Sequence, residues 1–148
     1  MDYSRYFMIA LVPFVAAAII PWVAPDSVGR VLFFTLGWTA VFIIFMAGII
    51  VGDVLASGLP KARLSVLSAL GCCCLVFLAV GLYSMVSPLL GLVLMAIAFF
   101  FVVQLVQITQ LWQRLDDQKS IFYRKVMWAV LGCLLMLFLS YYRKQVAG

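Results

Sequence analysis

The chain has no histidine. That removes the commonest general base, the commonest metal ligand and every ordinary haem axial ligand. A second absence is longer. From Leu64 to Gln113, fifty residues pass without one formal charge. A water-soluble domain carries charges throughout its surface, whereas two successive bilayer crossings exclude them, because a charge at bilayer depth costs at least ~2.5 kcal/mol. Also missing are H-x-x-x-H, D-x-D, C-x-x-C and any glycine-rich phosphate loop, and every lysine falls in a loop or at a helix end. No nucleophile–base pair can be assembled from what remains, so no enzyme activity, cofactor or metal site is expected.

What is present fits a membrane. Of 148 residues, 68% are hydrophobic and only 10% charged, with a mean hydropathy of +1.23. Five crossings of ~20 residues each would use most of the chain and leave no room for a soluble domain. The expected fold is therefore an all-α, five-helix transmembrane bundle forming one domain, with spans at about 6–24, 31–52, 64–83, 89–108 and 121–142. The N-terminal stretch has the layout of a signal peptide, with Arg5, an apolar Tyr6–Val15 and Ala16-x-Ala18, but it is read as a retained first span. Pro13 should bend it, and neighbouring helices should satisfy the carbonyl it frees. Ser120 is the expected N-cap of the last span.

The net charge of +5 is explained by orientation rather than by nucleic acid. With five spans, Arg5, Lys61, Arg63, Arg114, Lys119, Arg124 and Lys125 share one side, against Arg30, Arg143 and Lys144 on the other. The positive-inside rule puts the N-terminus in the cytoplasm and the C-terminus outside. Tyr6, Trp22, Tyr83, Trp112, Tyr123, Tyr141 and Tyr142 fall near span ends, as an interfacial aromatic belt requires. A bacterial inner membrane is the expected location, with the mitochondrial inner membrane as the alternative.

Three groups of residues stand out. Gly48 and Gly52 form a G-x-x-x-G on the second span, which lets another backbone approach closely, either within the chain or from a partner. Ser65, Ala69 and Cys73 make a small-residue stripe on the third, widened by Ser68 and Cys72; Cys72, Cys73 and Cys74 point ~100° apart and so cannot close on one metal. The third group is polar and intramembrane. Asp53 closes the second span beside Lys61 and Arg63, so it is either an interfacial ion-pair partner or a proton or ion site. Gln104 and Gln107 share a face of the fourth span, where amides in hydrocarbon need partners; Ser65 and Ser68 are the expected ones, the alternative being the lining of a small-molecule or ion path. The polar segment Gln110–Lys125 suits a helix end at the interface.

These segments resemble a family of small five-span membrane proteins of unknown function that includes transmembrane protein 69. Pro13-Phe14 matches its Pro-Phe in the first span. Phe45–Gly52 corresponds to F-x-G-G-x-x-W-G, Ser65–Leu70 to S-V-x-P-S-L, and Phe122-Tyr123-Arg124 to an aromatic-Tyr-basic start of the last span. The chain differs at Val51, Ser68 and Val126-Met127. The resemblance implies a five-span architecture and carries no settled activity.

The leading functional expectation is a non-enzymatic accessory or structural subunit of a larger membrane complex, in contact with lipid and with other membrane-protein subunits. The alternatives are a small transporter or channel component with a path near Asp53 and Gln104/Gln107, and a membrane immunity protein against a pore-forming toxin.

Overall fold

The computed structural model describes residues 3–58, 62–108 and 117–148. Among them are five α-helices: α1 (Tyr3–Val23), α2 (Val28–Ser57), α3 (Ala62–Met85), α4 (Pro88–Ile108) and α5 (Asp117–Ala147). Four are long and apolar enough to cross a membrane, and α1 contributes a shorter apolar stretch, Met8–Val23. The protein is a multi-pass membrane protein built as a five-helix bundle. Large apolar side chains cover its outside, which hydrocarbon tolerates as water would not.

The helices run further than hydropathy alone predicts. Rather than ending at Gly52, α2 continues through Asp53 to Ser57. Gly58 stops it, at φ 60° and ψ 28°, a left-handed conformation that glycine adopts without a Cβ penalty. At 30 residues, α2 is about 45 Å long and outspans the hydrocarbon core. Similarly, α5 begins at Asp117, so Ser120 lies in its first turn and is not its N-cap. Helix formation reaches into polar residues at both places because nothing there breaks it. Where a true breaker stands, the boundary agrees: Pro88 opens α4, a first-turn position at which its missing amide is no loss.

Successive helices alternate in direction. The short 3-10 turn Pro25–Ser27 between α1 and α2 meets the end of α5, where Lys144 Nζ donates to the Pro25 carbonyl at 3.2 Å. The Arg143 guanidinium lies 4.9 Å over the Trp22 ring. Phe33, early in α2, touches Tyr83, late in α3, at 6.1 Å between ring centroids. The chain's first described residues, the end of α2 and the start of α3 therefore fall at the opposite end, together with Arg124 and Lys125. Reporter fusions after Gly58 and after Gly148 are expected to report opposite sides of the membrane; the same side for both would remove α1 or α5 from the set of spans.

Inside the bundle, Phe14 of α1, Phe42 of α2 and Phe99 of α4 form an aromatic column. Phe14 meets Phe42 edge-on at 6.2 Å, and Phe42 stacks on Phe99 at 5.9 Å. All three are buried. Near Pro13 the Trp38 indole N–H donates to the Ala10 carbonyl at 3.1 Å. Ala10 is next to Ile9, whose usual amide partner Pro13 cannot provide, so α2 supplies a donor where the α1 ladder is weakened. Thr35 and Thr39 are buried, and each hydroxyl donates to its own helix four residues back, at 2.7 Å.

Candidate functional site

Among the described glycines, the tightest approach of another helix is that of α3 to Gly91 of α4, a residue that carries no motif. A Cβ built on Gly91 would sit 2.6 Å from Tyr83 Cβ, 2.8 Å from the Ala79 carbonyl oxygen and 2.9 Å from Tyr83 Cα. Only glycine fits. The turn at Val86-Ser87 brings the two helices together one turn before Gly91. The fully buried residues of α3 are Ala69, Cys72, Val76 and Ala79, alternating three and four apart as a straight seam requires. The predicted stripe of Ser65, Ala69 and Cys73 is thus only partly the seam: Ala69 is buried, while Ser65 and Cys73 are half-buried at its edge. Strict four-residue spacing winds away from the neighbouring helix by ~40° per step, which moves the packing from Cys73 to Cys72. The thiols diverge accordingly, with Cys72 buried, Cys73 half-buried and Cys74 exposed.

Gly48 and Gly52 behave differently. Both face outward, and a Cβ on either would meet nothing within 4 Å. Among the described residues no helix sits on them, so internal packing, one of the two roles expected for the G-x-x-x-G, is not made there. On the same outward face, Phe45 is 63% and Leu55 67% exposed. These two large side chains flank the glycines and leave a notch about two helical turns long whose floor is backbone.

Asp53 lies inside α2, half-buried, and is not without a partner; Lys61, its expected neighbour, lies outside the described residues. Gln104 is half-buried and Gln107 exposed. Neither is hydrogen-bonded to Ser65 or Ser68 among the described residues, because both amides lie away from the α3–α4 seam, on the side of α4 that turns toward α5. There α4 and α5 part into an apolar groove of ≈ 460 Å³ lined by Leu92, Val93, Ala96, Ile97 and Phe100 on one wall and Leu131, Leu134, Leu135 and Phe138 on the other. A smaller cleft separates α1 from α2, and a pocket lies where Trp22, Pro25 and Val28 meet Arg143 and Lys144. Asp53, Gln104 and Gln107 line none of the three. Residues 110–116 of the polar segment Gln110–Lys125, which include Trp112 and Arg114, lie outside the described set, and the remainder forms the start of α5.

What the bundle presents is therefore lateral: a glycine-floored notch on α2 and a grooved α4–α5 face with amides at one end. Sequence reasoning picked out the Gly48–Gly52 motif from its spacing, but not the direction in which its face turns. It missed Gly91, although a signal existed. Ala79 and Cys72 are seven apart on α3, as are Gly91 and Ala98 on α4, a heptad of small residues on each arm of a hairpin. No family model, no curated protein and no solved structure matches this chain.

Proposed function

We propose that this membrane protein is a non-enzymatic accessory subunit, held in a larger membrane complex through the outward face of α2. The observation that carries the reading is the open Gly48–Gly52 notch. Helices in hydrocarbon associate by close packing rather than by a hydrophobic drive, and glycines four apart are what lets two backbones approach. Among the described residues nothing packs on them, while the glycine at the tight α3–α4 contact, Gly91, stands elsewhere. The three cavities described among these residues are lined by neither Asp53 nor the Gln104–Gln107 pair, which favours a bound subunit over a transport path. On the charge asymmetry, the natural setting is a bacterial inner membrane with the Arg124 end in the cytoplasm.

Replacing both Gly48 and Gly52 with leucine tests this. The side chains have open space to enter, so the isolated chain in detergent is expected to melt within a few degrees of the wild type. In its native membrane, the same variant should lose co-purification with its partner by tenfold or more. A double variant that still co-purifies at the wild-type ratio would remove the notch from any assembly role.

A further inference from the structure

We propose that the α4–α5 groove is a binding site for one anionic glycerophospholipid, with an acyl chain in the groove and the phosphate at Arg124. The groove and the helix faces that continue it carry this together. Along α4 its wall is Leu92, Val93, Ala96, Ile97 and Phe100, and Gln107 falls on the same face two turns further on. Along α5 the wall is Leu131, Leu134, Leu135 and Phe138; one step of seven residues back from Leu131 on that face stands Arg124. Because the helices are antiparallel, the last turns of α4 and the first turns of α5 share one end of the bundle, which places Gln107 and Arg124 together at that end of the groove. Both are exposed. Neither has a hydrogen bond or ion pair among the described residues. Trp128, 52% exposed, stands one turn deeper than Arg124, at the depth where interfacial aromatics sit.

The dimensions match one lipid tail. From Leu92 to Phe100, α4 rises about 12 Å, comparable with the ~15 Å that each leaflet contributes to the hydrocarbon core. Gln107 stands about 10 Å beyond Phe100, so a headgroup at the Gln107–Arg124 mouth leads its chain directly into the slot. The guanidinium supplies the charge complement and bidentate donors for a phosphate, and the Gln107 amide supplies a donor for a phosphate or ester oxygen. A second transmembrane helix fits the groove poorly. Its walls end in branched and aromatic side chains, whereas a helix about 10 Å across seats on small residues. The glycine notch on α2 is the helix site, and this groove is the lipid site.

Native mass spectrometry of the purified full chain, titrated with phosphatidylglycerol and phosphatidylcholine of the same acyl composition, tests the assignment. The wild type is expected to retain phosphatidylglycerol preferentially. Arg124→Gln, a substitution at an exposed position that leaves the fold intact, should weaken phosphatidylglycerol binding by about fivefold, the weight of one cation at a membrane surface, and leave phosphatidylcholine unchanged. Ala96→Phe, which fills the slot between the walls, should lower retention of both. Equal retention of the two lipids by the wild type, or phosphatidylglycerol binding indifferent to Arg124→Gln, would overturn the site. So would efficient cysteine crosslinking of Phe100→Cys to another protein in native membranes, since the groove would then hold a helix.

Discussion

Alanine at Gly91 is expected to be among the most damaging single-methyl additions the chain can receive. The new Cβ would lie under 3.0 Å from the Ala79 carbonyl oxygen and from Tyr83 Cα. Both are backbone atoms in the last two turns of α3, so neither can swing aside as a side-chain terminus would. The two helices must separate, and separation costs the dispersion contacts of the whole seam, which includes Cys72, Val76, Met95 and Ala98. Overpacking of a tight interior costs about 1–3 kcal/mol, and the upper end applies when backbone is what must move. For a chain of this length, about 3 kcal/mol corresponds to a fall of roughly 6–12 °C in melting temperature. Leucine at the same position should leave no folded species in detergent. The matched controls are Gly48→Ala and Gly52→Ala, whose Cβ atoms meet nothing. Each replaces a mid-helix glycine, worth ~1 kcal/mol of helix propensity against alanine, so both should melt at or slightly above the wild type. Should Gly91→Ala melt with these controls, the α3–α4 contact is looser than described.

The contrast between these glycines marks what the sequence made legible. Spans were readable because a charge-free run of fifty residues has one physical explanation, and the Ser84–Pro88 turn was readable because proline punctuates a helix. The ends of α2 and α5 were not, since hydropathy reports where the hydrocarbon stops and a helix stops only at a residue that breaks it, here Gly58. The G-x-x-x-G was visible as a motif, but spacing along one helix does not say which way that face turns; Gly48 and Gly52 turn outward. Gly91 shows the converse. Its importance comes from Ala79 and Tyr83 on another helix, and small-residue spacing on one helix marks a candidate face without saying what meets it. The Gln104–Gln107 pair was recognised as polar at depth, yet its expected partners, Ser65 and Ser68, lie across a seam from which both amides are turned away. Membrane burial inverts the usual guide here: in water the hidden face is the apolar one, whereas in lipid every face is apolar and hydrophobic periodicity no longer distinguishes inside from outside.

Truncating Phe42 to alanine is the second large effect expected, and its size depends on that same inversion. The ring joins Phe14 on one side and Phe99 on the other, so α1, α2 and α4 meet through it. In a soluble core a Phe→Ala change costs about 3–5 kcal/mol, part from transfer to water and part from the cavity left behind. When the unfolded reference is a helix already in lipid, the transfer part falls away, because lipid tails are as apolar as the core. The cavity part remains, at about 24 cal/mol per Å³ over roughly 100 Å³ of lost ring, or about 2 kcal/mol. Lost edge and stacking contacts with two aromatic partners add about 0.5–1.5 kcal/mol each. Phe42→Ala should therefore destabilise by about 3–5 kcal/mol, against less than about 1 kcal/mol for Phe45→Ala, whose ring is exposed on the outward face. Phe42→Leu, which refills most of the volume but not the ring contacts, should fall between them. Reversible unfolding in mixed detergent micelles measures all three, and equal losses for Phe42→Ala and Phe45→Ala would mean that the aromatic column does not hold the bundle together.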